Sequence, residues 1–358
     1  MKQDTRLLVY NYTMESSNQV FSHQVEVAKR LAKNFDHFYV ITSGKGGENL
    51  DRPEFKVIPL SWEKVGKVRK IWRIYFQSFK ALILFRPTHV FYHMVDTHCS
   101  LVSPIFRLFS VQQILWYAHA KNSKPLTFAS FFVDRILTST KNSFPNNSKR
   151  MLSKVRVIGQ GIDLNLFTQS WVSTQRRNKA VSVGRLDPSK GLSEILEVLG
   201  KEPKITSPFE IHFIGRPSSS SSEEYVIQSL QLAEGLYPHL RVVLSGMVPR
   251  SQLGNEISKY DFFIHAFRGS LDKVLLEATL VGIPVITCNA EYQKIFGTWS
   301  GSQSSTLSEE LFSFLSLPTI AINEKCSGRR SLCVNEHSLD KWIEQATSEI
   351  LEHSRSEY

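Results

Sequence analysis

Cysteine is scarce in this chain of 358 residues: Cys99, Cys288, Cys326 and Cys333 form no C-x-x-C pair and fall into no His/Cys grouping at zinc-ligand spacing. That argues against a disulfide framework and a structural metal, and leads us to expect a reducing, cytosolic setting. Long hydrophobic runs are missing too. The longest, ALILF at 81–85, is too short to cross a bilayer, and the opening MKQDTRLLVYNYT has too little apolar length for a signal peptide. With 42% hydrophobic and 21% charged residues the composition is that of a globular protein, long enough for two α/β domains with full cores. Acidic residues are short in the first half only. Residues 1–170 hold 24 Lys and Arg against 11 Asp and Glu, whereas the remainder holds 19 against 22. A basic patch with a partner, if not simply solvated surface, therefore belongs to the first half.

Short apolar strands recur along the chain between helical patterns, the βαβ alternation of a parallel sheet covered on both faces. The pattern predicts strands at 6–12, 37–43, 89–94, 113–119, 135–140 and 155–161, then at 180–185, 209–215, 240–246, 261–266 and 284–288. Two doubly wound domains follow, with a polar, aperiodic linker expected over 163–179 and a Ser-rich surface loop over 216–224.

Ligands of such sheets bind beyond the carboxyl ends of the strands, where strand order reverses. The segment VSVGRLDPSKGLSEILEVL (181–199) is a strand, a break at Gly184 and an amphipathic helix, so Arg185 and Lys190 reach a crevice beside a helix start, an arrangement suited to a diphosphate. The same residues also admit Arg185 paired with Asp187 and Lys190 simply exposed. A second stretch, GSLDKVLLEATLVGIPVITC (269–288), reads as a turn with Asp272 as N-cap, a helix from about Lys273 to Val281, a stop at Gly282 and a buried strand.

In order and spacing these two stretches resemble the glycosyltransferase family 4 proteins of GT-B fold. The GRL…KG turn matches at Gly184, Arg185, Lys190 and Gly191, and the LEA…GIPV segment at Leu276, Glu277, Ala278, Gly282 and Pro284; GQGID (159–163) is similar to the inter-domain entry, and 335–351 to the closing helix. The resemblance implies two doubly wound Rossmann-like domains facing across a cleft. These are an acceptor-side domain over 1–165, a nucleotide-sugar domain over 166–337 and a helix over 338–358 returning to the first domain. It implies that Arg185 and Lys190 hold the donor's diphosphate, with Gly184 in the same turn, and that Glu277 accepts from the ribose hydroxyls. The backbone N–H groups of Leu271, Asp272 and Lys273, at a helix start, are suited to receive a phosphate, and Asp272 alternatively serves the sugar. Met247 in SGMVPRSQL lies where the base would be held. The alternative for Glu277 is an i,i+4 ion pair with Lys273 on an exposed helix face. No metal and no cofactor are implied beyond the nucleotide diphosphate-sugar as co-substrate, and the sequence has no Asp-x-Asp.

The chain departs from the family pattern in two places. Gly269 stands where a glutamate contacting the transferred sugar is usual, and Asn18 and Gln19 replace a Gly-Gly pair on the acceptor side, ahead of His23. His119, directly after an apolar strand, is expected beside the transferred sugar, positioning it rather than taking a proton; the alternative is a buried structural histidine. Along 62–86, Val68, Trp72, Tyr75, Phe79 and Leu82 share one side at helical spacing and read as core, while Lys67, Arg69, Lys70, Arg73 and Lys80 share the other. That basic face, with Lys64 and Arg86, suits anionic lipid; nucleic acid is not expected, since no recognition motif accompanies the charge. The expected function is a retaining, metal-independent glycosyltransferase, cytoplasmic or peripheral on the inner membrane face, acting on a glycan or lipid-linked acceptor. Alternatives are a nucleotide-sugar epimerase of GT-B fold and a weakened nucleotide-sugar-binding or membrane-binding protein.

Overall fold

The computed structural model describes residues 4–18, 21–46, 54–63, 65–145, 148–168, 171, 177–205 and 208–352. Two compact units result, one from residues 1–161 with 339–358 and the other from 162–338.

The first unit is built from β1 (Arg6–Asn11), α1 (His23–Ala32), β2 (His37–Thr42), β3 (Phe55–Pro59), α2 (Lys67–Lys80), β4 (His89–His93), α3 (Asp96–Leu108), β5 (Gln112–Trp116), α4 (Lys124–Ala129), β6 (Arg135–Thr138), α5 (Lys149–Ser153) and β7 (Val155–Val157). Its seven strands pair in parallel in the order β3-β2-β1-β4-β5-β6-β7. Continuous apolar runs are what strands buried on both faces require. In β1, Leu7 and Val9 pack toward Val27 and Leu31 of α1, whereas Leu8 and Tyr10 pack toward Ile74 of α2 and Val102 and Phe106 of α3. The helix from the far end of the chain, α13 (Leu339–Leu351), joins the first of these layers, with Trp342 edge-on to Trp116 at 5.1 Å between ring centroids.

The second unit runs β8 (Lys179–Val183), α6 (Leu192–Lys201), β9 (Phe209–Ile214), α7 (Ser220–Leu236), β10 (Leu240–Gly246), α8 (Arg250–Ile257), β11 (Phe262–His265), α9 (Lys273–Val281), β12 (Val285–Thr287), α10 (Ala290–Phe296), α11 (Leu307–Ser316) and α12 (Thr319–His337). Its parallel order is β10-β9-β8-β11-β12. Strand order reverses between β8 and β11, so the loops leaving those two strands, 82 residues apart at Lys190 and Asp272, become neighbours.

Four expectations need correction. The apolar side expected as core is so only at Tyr75 and Leu82, which pack against the first unit's core; Val68, Trp72 and Phe79 are exposed, as is Phe76, and α2 buries Ile74 and Ser78. Nor does Arg73 face outward with the other cations, because its Nη1 donates to the carbonyls of Leu60 and Ser61 at 2.7 and 3.1 Å. The stretch from 163 does not begin a linker: Ile162 and Phe167 are buried in the second unit's core, and Trp171 Nε1 donates to Tyr260 O at 2.8 Å. The Ser-rich run is largely helical, since Ser219 Oγ accepts from Ser222 N at 3.2 Å and so caps α7. Strand β3 was not expected at all; it is a half-exposed edge strand without a solid apolar run.

Candidate functional site

The loop after β8 turns tightly because Gly191 holds φ +68°, a left-handed conformation that costs other residues energy, and because a Cβ there would lie 2.7 Å from Ala266 Cβ. This glycine thus seats the start of α6 directly against the end of β11. Arg185, on the same turn, is exposed and its Nη1 lies 3.3 Å from Asp187 Oδ2. Asp187 is itself anchored by Ser218, whose N and Oγ donate to Oδ1 at 3.2 and 2.7 Å. Burial opposes ionisation of this carboxyl, but the Ser218 and Ser222 hydrogen bonds and the Arg185 charge outweigh it and hold its pKa below the usual range.

Lys190 is not the exposed lysine that the alternative reading supposed. Its ammonium is largely buried, forms an ion pair with Asp272 and lies 3.9 Å from the centroid of the Phe267 ring. Asp272 sits at the N-cap position of α9, yet its side chain makes no cap hydrogen bond; it turns to Lys190, with His265 Nε2 at 3.3 Å. Burial alone would raise the Asp272 pKa, but Lys190 and His265 together drive it well below the carboxylate range. The start of α9 therefore has no cap from the Asp272 side chain, and the positive end of its dipole lies beside the Lys190–Asp272 pair.

Glu277 lies one turn along α9. It is buried and forms an ion pair with Arg250 at the start of α8, so the exposed-face pair with Lys273 is not what the structure holds. Lys273 feels both of these charges. Burial, then repulsion from Arg250, against attraction from Glu277, lowers its pKa to about 7. Met247, partly exposed in the loop between β10 and α8, precedes Arg250 by three residues. Gly184 holds φ +147°, a conformation that favours glycine, and a Cβ there would touch the Lys190 carbon chain at an ordinary 3.9 Å. Leu271 is buried in the core beneath the loop.

Gly269 has a packing reason. A Cβ at this position would meet the Phe267 ring at 2.1 Å, so the ring occupies the space a larger side chain would need. The loop is pinned from beneath by the buried Asn289, whose Nδ2 donates to the carbonyls of Phe267, Gly269 and Ser270 at 3.0, 3.2 and 3.2 Å. Asn289, His265 and Arg250 were all missed in the sequence, although His265 closes the apolar strand β11 and Asn289 comes just after β12, much as His119 comes after β5.

Residues 166–294 match the family model described as glycosyl transferases group 1. No curated protein matches the chain. Among solved structures, HepE from Anabaena in complex with UDP and glucose is 15% identical over 99% of this chain and 100% of its own, with a TM-score of 0.71. Sucrose-phosphate synthase from Thermosynechococcus elongatus is 12% identical over 98% and 100%, TM-score 0.71. The lipopolysaccharide outer core galactosyltransferase WaaB is 13% identical over 98% and 100%, TM-score 0.66. The fold is GT-B, and the family match supports a glycosyltransferase. The residues expected at a donor site, from Gly184 to Glu277, lie inside the matched segment.

The candidates expected on the acceptor side, Asn18, Gln19, His23 and His119, belong to the first unit, after β1 and β5. Asn18 Oδ1 accepts from Phe21 N at 2.8 Å, which commits that oxygen to shaping the loop before α1. Gln19 lies outside the described residues. His23 opens α1 with its ring 6.0 Å from that of His93. His119 follows β5 and is exposed, edge-on to Tyr117 at 5.7 Å, so the buried alternative does not hold. The residue after His23 was not foreseen: buried Gln24 accepts from Tyr12 N at 2.9 Å and donates to His93 O at 3.3 Å, stitching the ends of β1 and β4 together. Among the described residues no group of His, Cys, Asp and Glu is placed to hold a metal ion, and no helix is long and apolar enough to cross a membrane.

Proposed function

We propose that the chain is a retaining glycosyltransferase of family 4 type that moves a sugar from a nucleotide diphosphate-sugar to a glycan or lipid-linked glycan precursor. What supports this most is the convergence, at one strand-order reversal, of Arg185, Lys190, the uncapped start of α9 and the buried Glu277. HepE, solved with UDP and with UDP-glucose, makes UDP-glucose the first donor to try. In this reading the diphosphate lies against Arg185, Lys190 and the first N–H groups of α9, Glu277 takes the ribose hydroxyls, and the loop around Met247 flanks the base. The bond from the anomeric carbon to the diphosphate breaks while the acceptor oxygen bonds to the same face of that carbon. The acceptor proton passes to the departing phosphate oxygen. The cations and helix start offset charge growing on the leaving group, a transition-state effect, and His119 positions the sugar.

A second reading has a specific observation behind it. Asp272 already neutralises Lys190, and Phe267 fills the space above Gly269, which suits a protein that binds a nucleotide-sugar and turns it over slowly. Incubation with radiolabelled UDP-sugars and a membrane or glycan extract separates the two. Label passing into acceptor with the anomeric configuration kept supports transfer. Saturable binding without incorporation favours the second reading, and absence of both across a panel of nucleoside diphosphate-sugars refutes the donor site itself.

A further inference from the structure

Helix α2 and the π-helical turn after it, Ala81–Phe85, turn their most apolar surface to solvent. Val68 is 83% exposed, Trp72 62% and Leu84 69%, with Phe76, Phe79 and Ile83 also exposed. At 100° per residue, Val68, Phe79, Trp72 and Phe76 fall within about 80° of one another, opposite the buried Ile74 and Ser78. Trp72 and Phe76 stack with ring centroids 5.1 Å apart and planes 11° from parallel, forming one flat aromatic surface. A contiguous exposed apolar patch of this kind is uncommon on a soluble monomer and marks a place where something docks.

The charge around the patch selects the occupant. From Lys64 to Val95 the sequence contains no Asp or Glu, while Lys67, Arg69, Lys80 and Arg86 are exposed beside the apolar side chains. The acid that precedes the helix, Glu63, lies 3.3 Å from Lys45. A second copy of the same face would bring cations against cations, so self-association through this patch is electrostatically opposed. An anionic bilayer meets both requirements, because its headgroups attract the cations and its interfacial region takes up aromatic and aliphatic side chains.

We infer that α2 and the turn 81–85 form a membrane-docking surface that inserts Trp72, Phe76, Phe79, Ile83 and Leu84 into the interface of an anionic bilayer, with Lys67, Arg69, Lys80 and Arg86 on the headgroups. This differs from a basic face merely resting on lipid, since the inserted surface is apolar and Arg73 takes no part. Arg73 instead ties α2 to the loop leaving β3, its Nη1 donating to the carbonyls of Leu60 and Ser61, so the docked helix stays fastened to the first unit's sheet. The inference does not depend on the donor chemistry.

The test is cosedimentation of the full chain with vesicles of phosphatidylcholine alone and of equal parts phosphatidylcholine and phosphatidylglycerol. Wild type is expected to bind the mixed vesicles at low salt, with tryptophan fluorescence quenched by shallowly brominated lipid. Trp72→Ser with Phe76→Ser, and separately Arg69→Glu with Lys80→Glu, should each weaken partitioning at least tenfold while leaving the thermal midpoint and UDP binding unchanged. High salt, which cuts the Debye length to about 3 Å at 1 M, should reduce wild-type binding without abolishing bromolipid quenching of what remains bound. Wild type that ignores mixed vesicles at low salt overturns the inference. So does a Trp72→Ser, Phe76→Ser protein that binds as wild type does, or a wild-type dimer that this variant converts to monomer.

Discussion

Lys273 offers a measurement of the donor site that needs no acceptor. Its pKa is lowered to about 7, first by burial and then by Arg250. At pH 7 about half of the molecules carry the proton on Lys273, and at pH 8 about a tenth do, from the titration curve alone. A diphosphate arriving at the start of α9 puts negative charge beside this amine and moves its pKa back toward the ordinary lysine range. UDP binding should therefore take up about half a proton at pH 7 and about 0.9 at pH 8. Titration calorimetry in buffers of different ionisation enthalpy reads that number as a slope, and pH 8 is the better choice because the terminal phosphate of UDP is then already ionised. Lys273→Met should abolish the uptake. The stability effect has a definite sign. The folded pKa lies below the unfolded one, so this group's stabilising contribution is present above about pH 10.4 and is lost as pH falls through about 7. Wild type should gain stability relative to Lys273→Met as pH rises over that window. Zero uptake in wild type at pH 8, or equal uptake in both proteins, refutes the placement of the diphosphate beside Lys273.

Four further outcomes follow from the ion pairs. Arg185→Ala and Lys190→Ala should each slow transfer by roughly 10²-fold or more with the fold intact, checked by initial rates and circular dichroism. Asp272→Asn frees Lys190 for the ligand and should tighten UDP binding about tenfold, near the value of one charged hydrogen bond. Glu277→Gln should weaken nucleoside diphosphate binding by about 1–3 kcal/mol in calorimetry. Arg250→Ala strands the buried Glu277 carboxylate and should lower unfolding stability by about 3 kcal/mol in denaturant titration.

The sheets were legible because a strand buried on both faces has to be apolar nearly throughout, as β1, β4, β8 and β11 are. β3 escaped notice because an edge strand, half exposed as Phe55–Pro59 is, has no such requirement. The error at α2 has a different origin. Helical periodicity states which residues share a face and is silent on which way that face points. Val68, Trp72 and Phe79 share one, but the sheet takes the face of Ile74 and Ser78. At the donor site, local backbone features such as the turn at Gly191 and the helix over Lys273–Val281 could be read from spacing. Partners supplied by other strands could not. Lys190 and Asp272 are 82 residues apart, and Arg250 and Glu277 are 27 apart.

The departure at Gly269 is best understood as one connected change. Without a side chain at 269, the Phe267 ring lies over that backbone, and a Cβ there would be 2.1 Å from it. The ring then provides a face for the Lys190 ammonium at 3.9 Å, and Asp272 supplies the counter-charge. Gly269, Phe267, Lys190 and Asp272 thus support one another, with Asn289 holding the loop in register from below. A glutamate restored at 269 alone would have to displace the ring and with it the seat of Lys190. The cation that a diphosphate needs is therefore held in place before any ligand arrives, by a carboxylate that the ligand must either displace or share. This loop keeps Lys190 ordered at the expense of having it already paired.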